Sequence, residues 1–346
     1  MKSHFVLFAC CIPVKGASRS TICDLQRNSF ELVPNVLHEI LTEHTNKSIQ
    51  EVFEVYDHEY NEEIKEYFDF LVDKNYGFYS NEPHNFPKLD LTWHNPLTIT
   101  NALVDFDRHS THDLSVIVTQ LSSLYCSAIE LRFFSSLTLE KLRQVIRLFD
   151  NTTFRSVQIT VGYHPELTPE SLFMIRQNNE RVQEILVHST PQIDEIVLKE
   201  KFKVAIYTSQ KINTEACCGN ISPHYFTSRV EFFTETQSFN SCLNRKISID
   251  KRGYIKNCPS MSQAYGHIDD TTLASVAQSK DFQKVWHISK DQVSICQDCE
   301  FRYICTDCRA YLATPNDILS KPAKCSYNPY EANWEDSSRE KNKAII

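Results

Sequence analysis

The sequence predicts an α/β protein built in three segments, and three observations carry that reading. Residues 1–80 pass from β-rich stretches into amphipathic helices, residues 97–235 alternate strand with helix, and residues 236–332 concentrate the cysteines. Between the first two lies "NEPHNFPKLDLTWHNP", residues 81–96, whose three prolines and lack of periodicity mark a linker. Residues 333–346 read as a loose tail. At 346 residues, with 41% hydrophobic and 23% charged side chains, the chain has the length and balance of a soluble protein with more than one core.

In the first segment "HFVLFACCIPV", "STICDL" and "SFELVP" are extended runs, the last ending at Pro34. Val36, Leu37, Ile40 and Leu41 then recur at helical spacing, "SIQEVFEVY" makes a short second helix, and Ile64, Phe68, Leu71 and Val72 define a third. Gly77 is expected to stop that third helix. Three strands followed by three helices is an order used by small winged-helix modules.

The middle segment offers strand candidates "ALVDFD", "AIELRFF", "SVQITV", "VQEILVH" and "FKVAIY", starting at residues 102, 128, 156, 182 and 202. Helical stretches separate them, the clearest being the stripe of Leu139, Leu142, Ile146 and Phe149. Such βα repetition predicts a parallel sheet with helices packed on it. Five units are too few for an eight-stranded barrel, so an open or partial barrel is expected. In the third segment "KISIDKRGYIKNCP" reads as a hairpin that turns at Lys251–Gly253.

Composition also excludes functions. The net charge is −8 and no Lys/Arg block supplies the basic surface that nucleic acid requires. Only 6 glycines occur and no two lie within ten residues of each other, so neither a P-loop nor a dinucleotide fingerprint is present. The apolar run near the N-terminus is broken by Pro13 and Lys15, too early for a membrane span or a signal peptide. A cytoplasmic location is expected, where clustered thiols mean metal or redox chemistry more often than disulfides.

Thirteen cysteines occur, and seven of them form one arrangement. Cys242 is followed by ten residues, Gly253, four residues and Cys258; Cys296, Cys299, Cys305 and Cys308 follow with two, five and two residues between them; Cys325 comes after sixteen more. Seven soft thiolates exceed one tetrahedral site, which points to two metal centres. Zinc is the rival to iron–sulfur, but paired Cys-x2-Cys knuckles around zinc are usually about 12–20 residues apart, and here five intervene. Cys10, Cys11, Cys23 and Cys126 lie in apolar runs and are read as small hydrophobes.

This arrangement resembles the SPASM domain, the C-terminal module of many peptide-modifying radical SAM enzymes. The resemblance implies two auxiliary [4Fe–4S] clusters, one held by Cys296, Cys299, Cys305 and Cys325, the other receiving Cys242, Cys258 and Cys308. The chain departs from the family pattern in two places: two residues rather than three precede Cys308, and "TETQSFNS" lacks the extra ligand ahead of Cys242. The second cluster would then keep an open iron, borrow Cys217 or Cys218, or not form.

A radical SAM enzyme of that family also carries C-x3-C-x2-C after its first barrel strand and a Gly-Gly-Glu stretch after its second. Here the corresponding stretches read "RHSTHDL" and "AIELRFFSS". The middle segment therefore resembles a radical SAM barrel in outline only, and no S-adenosylmethionine is expected to be used. "DRHSTHD" places Asp107, His109, His112 and Asp113 at a strand C-terminus, where α/β proteins bind ligands, although helix capping explains the same residues.

The first segment resembles the PqqD-like peptide-recognition element, whose third strand pairs with a leader peptide; "RNSFELVP" would be the accepting strand and the Ile64–Val72 helix the groove wall. Taken whole, the chain resembles the SPASM-domain maturase of grasp-with-spasm systems. That implies ribosomal-peptide (RiPP) maturation, a precursor-peptide partner and an ATP-grasp ligase. The alternatives are a cluster-dependent redox or Lewis-acid enzyme acting on the peptide, and a zinc-stabilised structural binding protein.

Overall fold

The computed structural model describes residues 4–45, 47–191, 195–199 and 202–335. The first segment contains β1 (His4–Leu7), β2 (Cys11–Lys15), β3 (Ser20–Asp24), β4 (Ser29–Val33), α1 (Asn35–Glu43), α2 (Ile49–Val55), α3 (Asn61–Asp73) and β5 (Gly77–Ser80). β2, β3 and β4 form an antiparallel sheet in that order, and β1 pairs antiparallel with β5. The stretch "HFVLFACCIPV", expected as one extended run, is thus two strands in two sheets. A turn closed by Cys11 N–H donating to Phe8 O at 2.8 Å separates them. Leu37, Ile40, Val52, Ile64, Phe68 and Leu71 bury the helical faces over Ile22 and Val33, as the spacing predicts.

Gly77 does not stop α3. Asn75 does, at φ 54, in a Schellman turn: Tyr76 N–H reaches Leu71 O at 2.8 Å and Asn75 N–H reaches Val72 O at 2.9 Å. Tyr76 packs back on Phe70 with ring centroids 6.3 Å apart, the apolar contact that accompanies this cap. Gly77 serves the next strand instead, because a Cβ there would lie 2.3 Å from the Phe5 ring and 2.4 Å from Val6 O. β1 can approach β5 only at glycine.

The second segment holds β6 (Asn101–Phe106), α4 (Leu114–Ser123), β7 (Ala128–Ser136), α5 (Leu139–Arg147), β8 (Ser156–Gly162), α6 (Pro169–Gln177), β9 (Val182–His188), β10 (Glu195–Lys199) and β11 (Phe202–Tyr207). After α7 (Val230–Thr236), the hairpin of β12 (Lys246–Ile249) and β13 (Ile255–Lys256) joins the same sheet. The strand order is β10-β11-β9-β8-β7-β6-β12-β13, mostly parallel, with β12 parallel to β6 and antiparallel hairpins at both ends. The open sheet matches the expected alternation; β10, which pairs with β11, was not foreseen.

That order winds one way from β6 to β9, so right-handed crossovers place α4, α5 and α6 on one face. The face they cover is apolar: Ala102, Val104, Ile129, Leu131, Val157, Ile159, Ile185, Ile247 and Ile249 meet Ile117, Leu121, Leu142, Ile146 and Leu172. Alternate residues point to the opposite face. There Arg132 grips Asp105 through two hydrogen bonds of 2.7 and 2.8 Å, and both side chains are buried. Among the described residues no helix is long and apolar enough to cross a membrane.

The first segment sits on the cysteine run. Ala17 N–H donates to Asp298 O at 2.8 Å, Thr21 Oγ1 donates to Glu300 O at 3.0 Å, and Arg19 Nε pairs with Glu300 Oε1 at 2.8 Å. Tyr327 OH donates to the same carboxylate oxygen. A Cβ at Gly16 would fall 2.8 Å from Glu300 N, so the β2–β3 turn lies flush against the chain beside Cys299.

Replacement of Gly77 by alanine is predicted to destabilise the protein by about 1–3 kcal/mol, the usual cost of overpacking. A urea titration followed by far-UV circular dichroism checks it; an unchanged midpoint would contradict the close approach of β1.

Candidate metal centres

The seven cysteines separate into two nests, each built around one lysine amino group. Lys290, only 5% exposed, donates from Nζ to Cys305 Sγ at 3.5 Å and stands 3.8 Å from Asp307 Oδ1. Desolvation works against its charge, but Cys305, Cys296, Asp307 and Cys325 outweigh it and hold the Lys290 pKa above the ordinary lysine value. Cys299 faces Cys305 and Lys290 as well. Cys305 therefore touches this cation, and Cys296 and Cys325 lie within its electrostatic reach, with Cys299 acting on the same group.

The second nest is a cavity of about 200 Å³ lined by Cys242, Cys258 and Cys308 together with Cys217, Cys218, Ile221 and Tyr311. Lys246 Nζ donates to Cys242 Sγ at 3.4 Å. Its pKa is also held high: desolvation lowers it, while Cys242, Cys258, Cys218 and Glu130 raise it by more. Lys246 reaches Cys242 because it alternates with Ile247 along β12, so it lies on the face opposite the helices.

One short stretch feeds both nests. Cys305 goes to the first and Cys308 to the second, and Asp307 between them is 1% exposed. Arg309 Nη2 donates to Asp307 Oδ1 at 2.7 Å, with Arg309 Nε 2.7 Å from Oδ2. Asn240 Nδ2 donates to Oδ2 at 2.6 Å, and Asn240 Oδ1 accepts from Cys242 N–H at 3.0 Å and Leu243 N–H at 2.9 Å. Ser241 Oγ accepts from Asp307 N–H at 2.7 Å. This network ties the Cys242 turn to the Cys305–Cys308 run.

The donor set suits a cluster better than a single zinc ion. Tetrahedral zinc with Zn–S bonds of about 2.3 Å requires sulfurs roughly 3.8 Å apart. Among the described residues, no three of the late cysteines bring their sulfurs within 4.8 Å of one another. A cubane presents a separate iron to each thiolate and so accepts ligands that stand farther apart. Burial pushes the Cys258 and Cys305 thiols up to about 12 and raises Cys296, Cys299 and Cys308 too. A metal takes the thiolate form, so metal loading releases protons from these cysteines.

Ligand atoms do meet within 4.8 Å at Cys10, Cys11 and Asp24. There Asp24 already accepts from Gln26 N–H, Arg27 N–H and the Arg27 guanidinium at 3.0, 2.9 and 3.0 Å, so it caps a turn. Cys11, Cys23 and Cys126 are buried, in keeping with their reading as small hydrophobes, whereas Cys10 is half-buried. The histidine-rich stretch does not converge on a ligand set either. Asp113 caps α4 by accepting from Ser115 N–H at 2.7 Å, Asp107 accepts from His109 N–H at 2.8 Å, and His112 stacks on Phe106 at 4.4 Å.

No family model matches the chain, and no curated protein matches it. Among solved structures the chain is similar to Streptococcus suis SuiB bound to S-adenosylmethionine, at 11% identity over 92% of this chain and 98% of that one, with a TM-score of 0.32. It is likewise similar to SuiB bound to its precursor peptide SuiA, at 11% identity over 92% and 98% of the two chains, with a TM-score of 0.30. Likeness of this depth carries no argument about the reaction.

Asp307→Ala is predicted to cost about 3–5 kcal/mol, because it leaves the buried Arg309 and Lys290 cations without their carboxylate. Thermal and urea unfolding measure the loss, and Asp307→Asn, which keeps the shape, should not restore full stability. A loss under about 1 kcal/mol for Asp307→Ala would show that the network is dispensable.

Proposed function

We propose that this chain is a peptide-maturation factor that carries two [4Fe–4S] clusters, one in each thiol nest, and works beside an ATP-grasp ligase. The observation that supports the reading is that Cys242, Cys258 and Cys308 line one cavity, with Lys246 on Cys242, while Cys305 contacts a different buried lysine, Lys290. The SPASM resemblance supplies the peptide context. The same resemblance, with both halves of the radical SAM cofactor site missing, supports chemistry without cleavage of S-adenosylmethionine. ATP-dependent bond formation would belong to the partner, which suits a chain with only 6 scattered glycines.

The leader of the precursor would add to β4. Among the described residues β4 is paired as a strand with β3 alone, and Ser228 and Thr227 occupy only its Asn28–Ser29 end. Leu32 is 40% exposed on that strand, and Lys74, just past α3, pairs with Glu31 at 3.2 Å, so the end of α3 stands beside it. An extended peptide there gains affinity from main-chain hydrogen bonds and selectivity from side-chain pockets. Because the β2–β3 turn rests on Glu300, the bound leader would be fixed relative to the first nest.

Anaerobic iron and sulfide quantification tests the metal content. Cys299→Ala and Cys258→Ala should each lower both by about one cluster's worth, since each removes a thiolate from a different nest. A colourless wild-type protein with stoichiometric zinc would overturn the reading. For the peptide, Leu32→Asp should weaken binding of a fluorescent leader by about tenfold, the equivalent of about 1.4 kcal/mol of lost apolar contact. Equal anisotropy titrations for both proteins would move the leader elsewhere.

A further inference from the structure

The structure assigns Cys218 as the fourth thiolate of the second nest, closing a site that the spacing of Cys242, Cys258 and Cys308 leaves one ligand short. This inference rests on the cluster reading above and names the residue that completes it. Both Cys217 and Cys218 border the cavity, so the choice between them is decided by what surrounds each sulfur. Cys217 packs with Phe134, Leu186, Ile206 and Ile212, and its Sγ donates weakly to Lys211 O at 3.8 Å. Cys218 is exposed and lines the cavity together with Cys242, Cys258 and Cys308.

The backbone beside Cys218 fits that role. Gly219 has φ +88, and a Cβ there would lie 2.9 Å from Cys308 Sγ. The loop can therefore press against Cys308 only with glycine after Cys218. Three cysteine-bearing stretches hold this loop in place. Ser260, two residues after Cys258, donates from Oγ to Glu215 O at 3.3 Å; Tyr311, three after Cys308, donates to Glu215 O at 3.5 Å and to Ser260 Oγ at 3.0 Å. Lys324, next to Cys325, donates to Ala216 O at 2.6 Å and to Cys218 O. Lys251 adds an ion pair to Glu215 at 3.3 Å. A loop with no part in the nest would have little need of anchors from three of its neighbours.

Four protein thiolates leave no iron free for substrate, so the second centre would pass or store electrons, and the Lewis-acid alternative loses its open coordination position. The test compares anaerobically reconstituted wild type, Cys217→Ala and Cys218→Ala by iron and sulfide content and by low-temperature EPR of the reduced proteins. Cys217→Ala should match wild type. Cys218→Ala should lose about one cluster's worth of iron or change the EPR signal of one centre. A Cys218→Ala protein with wild-type iron, sulfide and EPR overturns the assignment while leaving the cluster reading intact; a wild type without iron overturns that reading itself.

Should Cys218→Ala fail to fold, iodoacetamide footprinting of the wild type gives the answer. Cys218 should be alkylated only after the iron has been chelated away, whereas Cys217 should label alike before and after. Equal labelling of Cys218 in the loaded and stripped proteins overturns the assignment.

Discussion

The buried carboxylate of Asp307 is the constraint on which both thiol nests depend. It lies in a run of four residues whose first and last sulfurs line different nests; its carboxylate accepts from Arg309 and Asn240, and its own backbone N–H donates to Ser241 Oγ. A carboxylate taken out of water costs several kcal/mol unless cations and donors replace its hydration. Here those partners are themselves beside the nests: Lys290 touches Cys305, and Asn240 fixes the amide of Cys242. One ion network thus ties the Cys242 turn to the run that carries Cys305 and Cys308.

The two lysines suggest why the nests tolerate so much sulfur in so little water. Several thiolates gathered in a low-dielectric interior repel one another, and a nearby ammonium offsets that repulsion more effectively there than at the surface. Lys246 and Lys290 come from different structural settings, a strand and a short 3-10 turn, yet arrive at the same contact with sulfur at 3.4 and 3.5 Å. That convergence favours an electrostatic role over accidental packing.

Much of this was legible in the sequence, because thiol spacing and hydrophobic period are local signals. The open, mostly parallel sheet and the β12–β13 hairpin follow from such patterns, whereas the division of the late cysteines into two sets is what the SPASM resemblance implies. Lys246 was not legible. In "KISI" it reads as the solvent side of a half-covered strand, and only the one-way winding of β6 to β9, which puts every crossover helix on the other face, turns that side toward the cysteines. Gly77 misled for a related reason: its position after a helix is that of a stop, while its lack of a side chain is used by a strand 70 residues earlier in the chain. The short strand β10 was missed because its pairing with β11 is a tertiary choice that a brief apolar run does not announce.

Native mass spectrometry of the whole protein, reconstituted without oxygen, tests the central claim most directly. Two cluster-bearing nests predict a mass increment equal to two [4Fe–4S] units on the intact chain. An increment of one or two zinc ions, with no iron or sulfide, would contradict it.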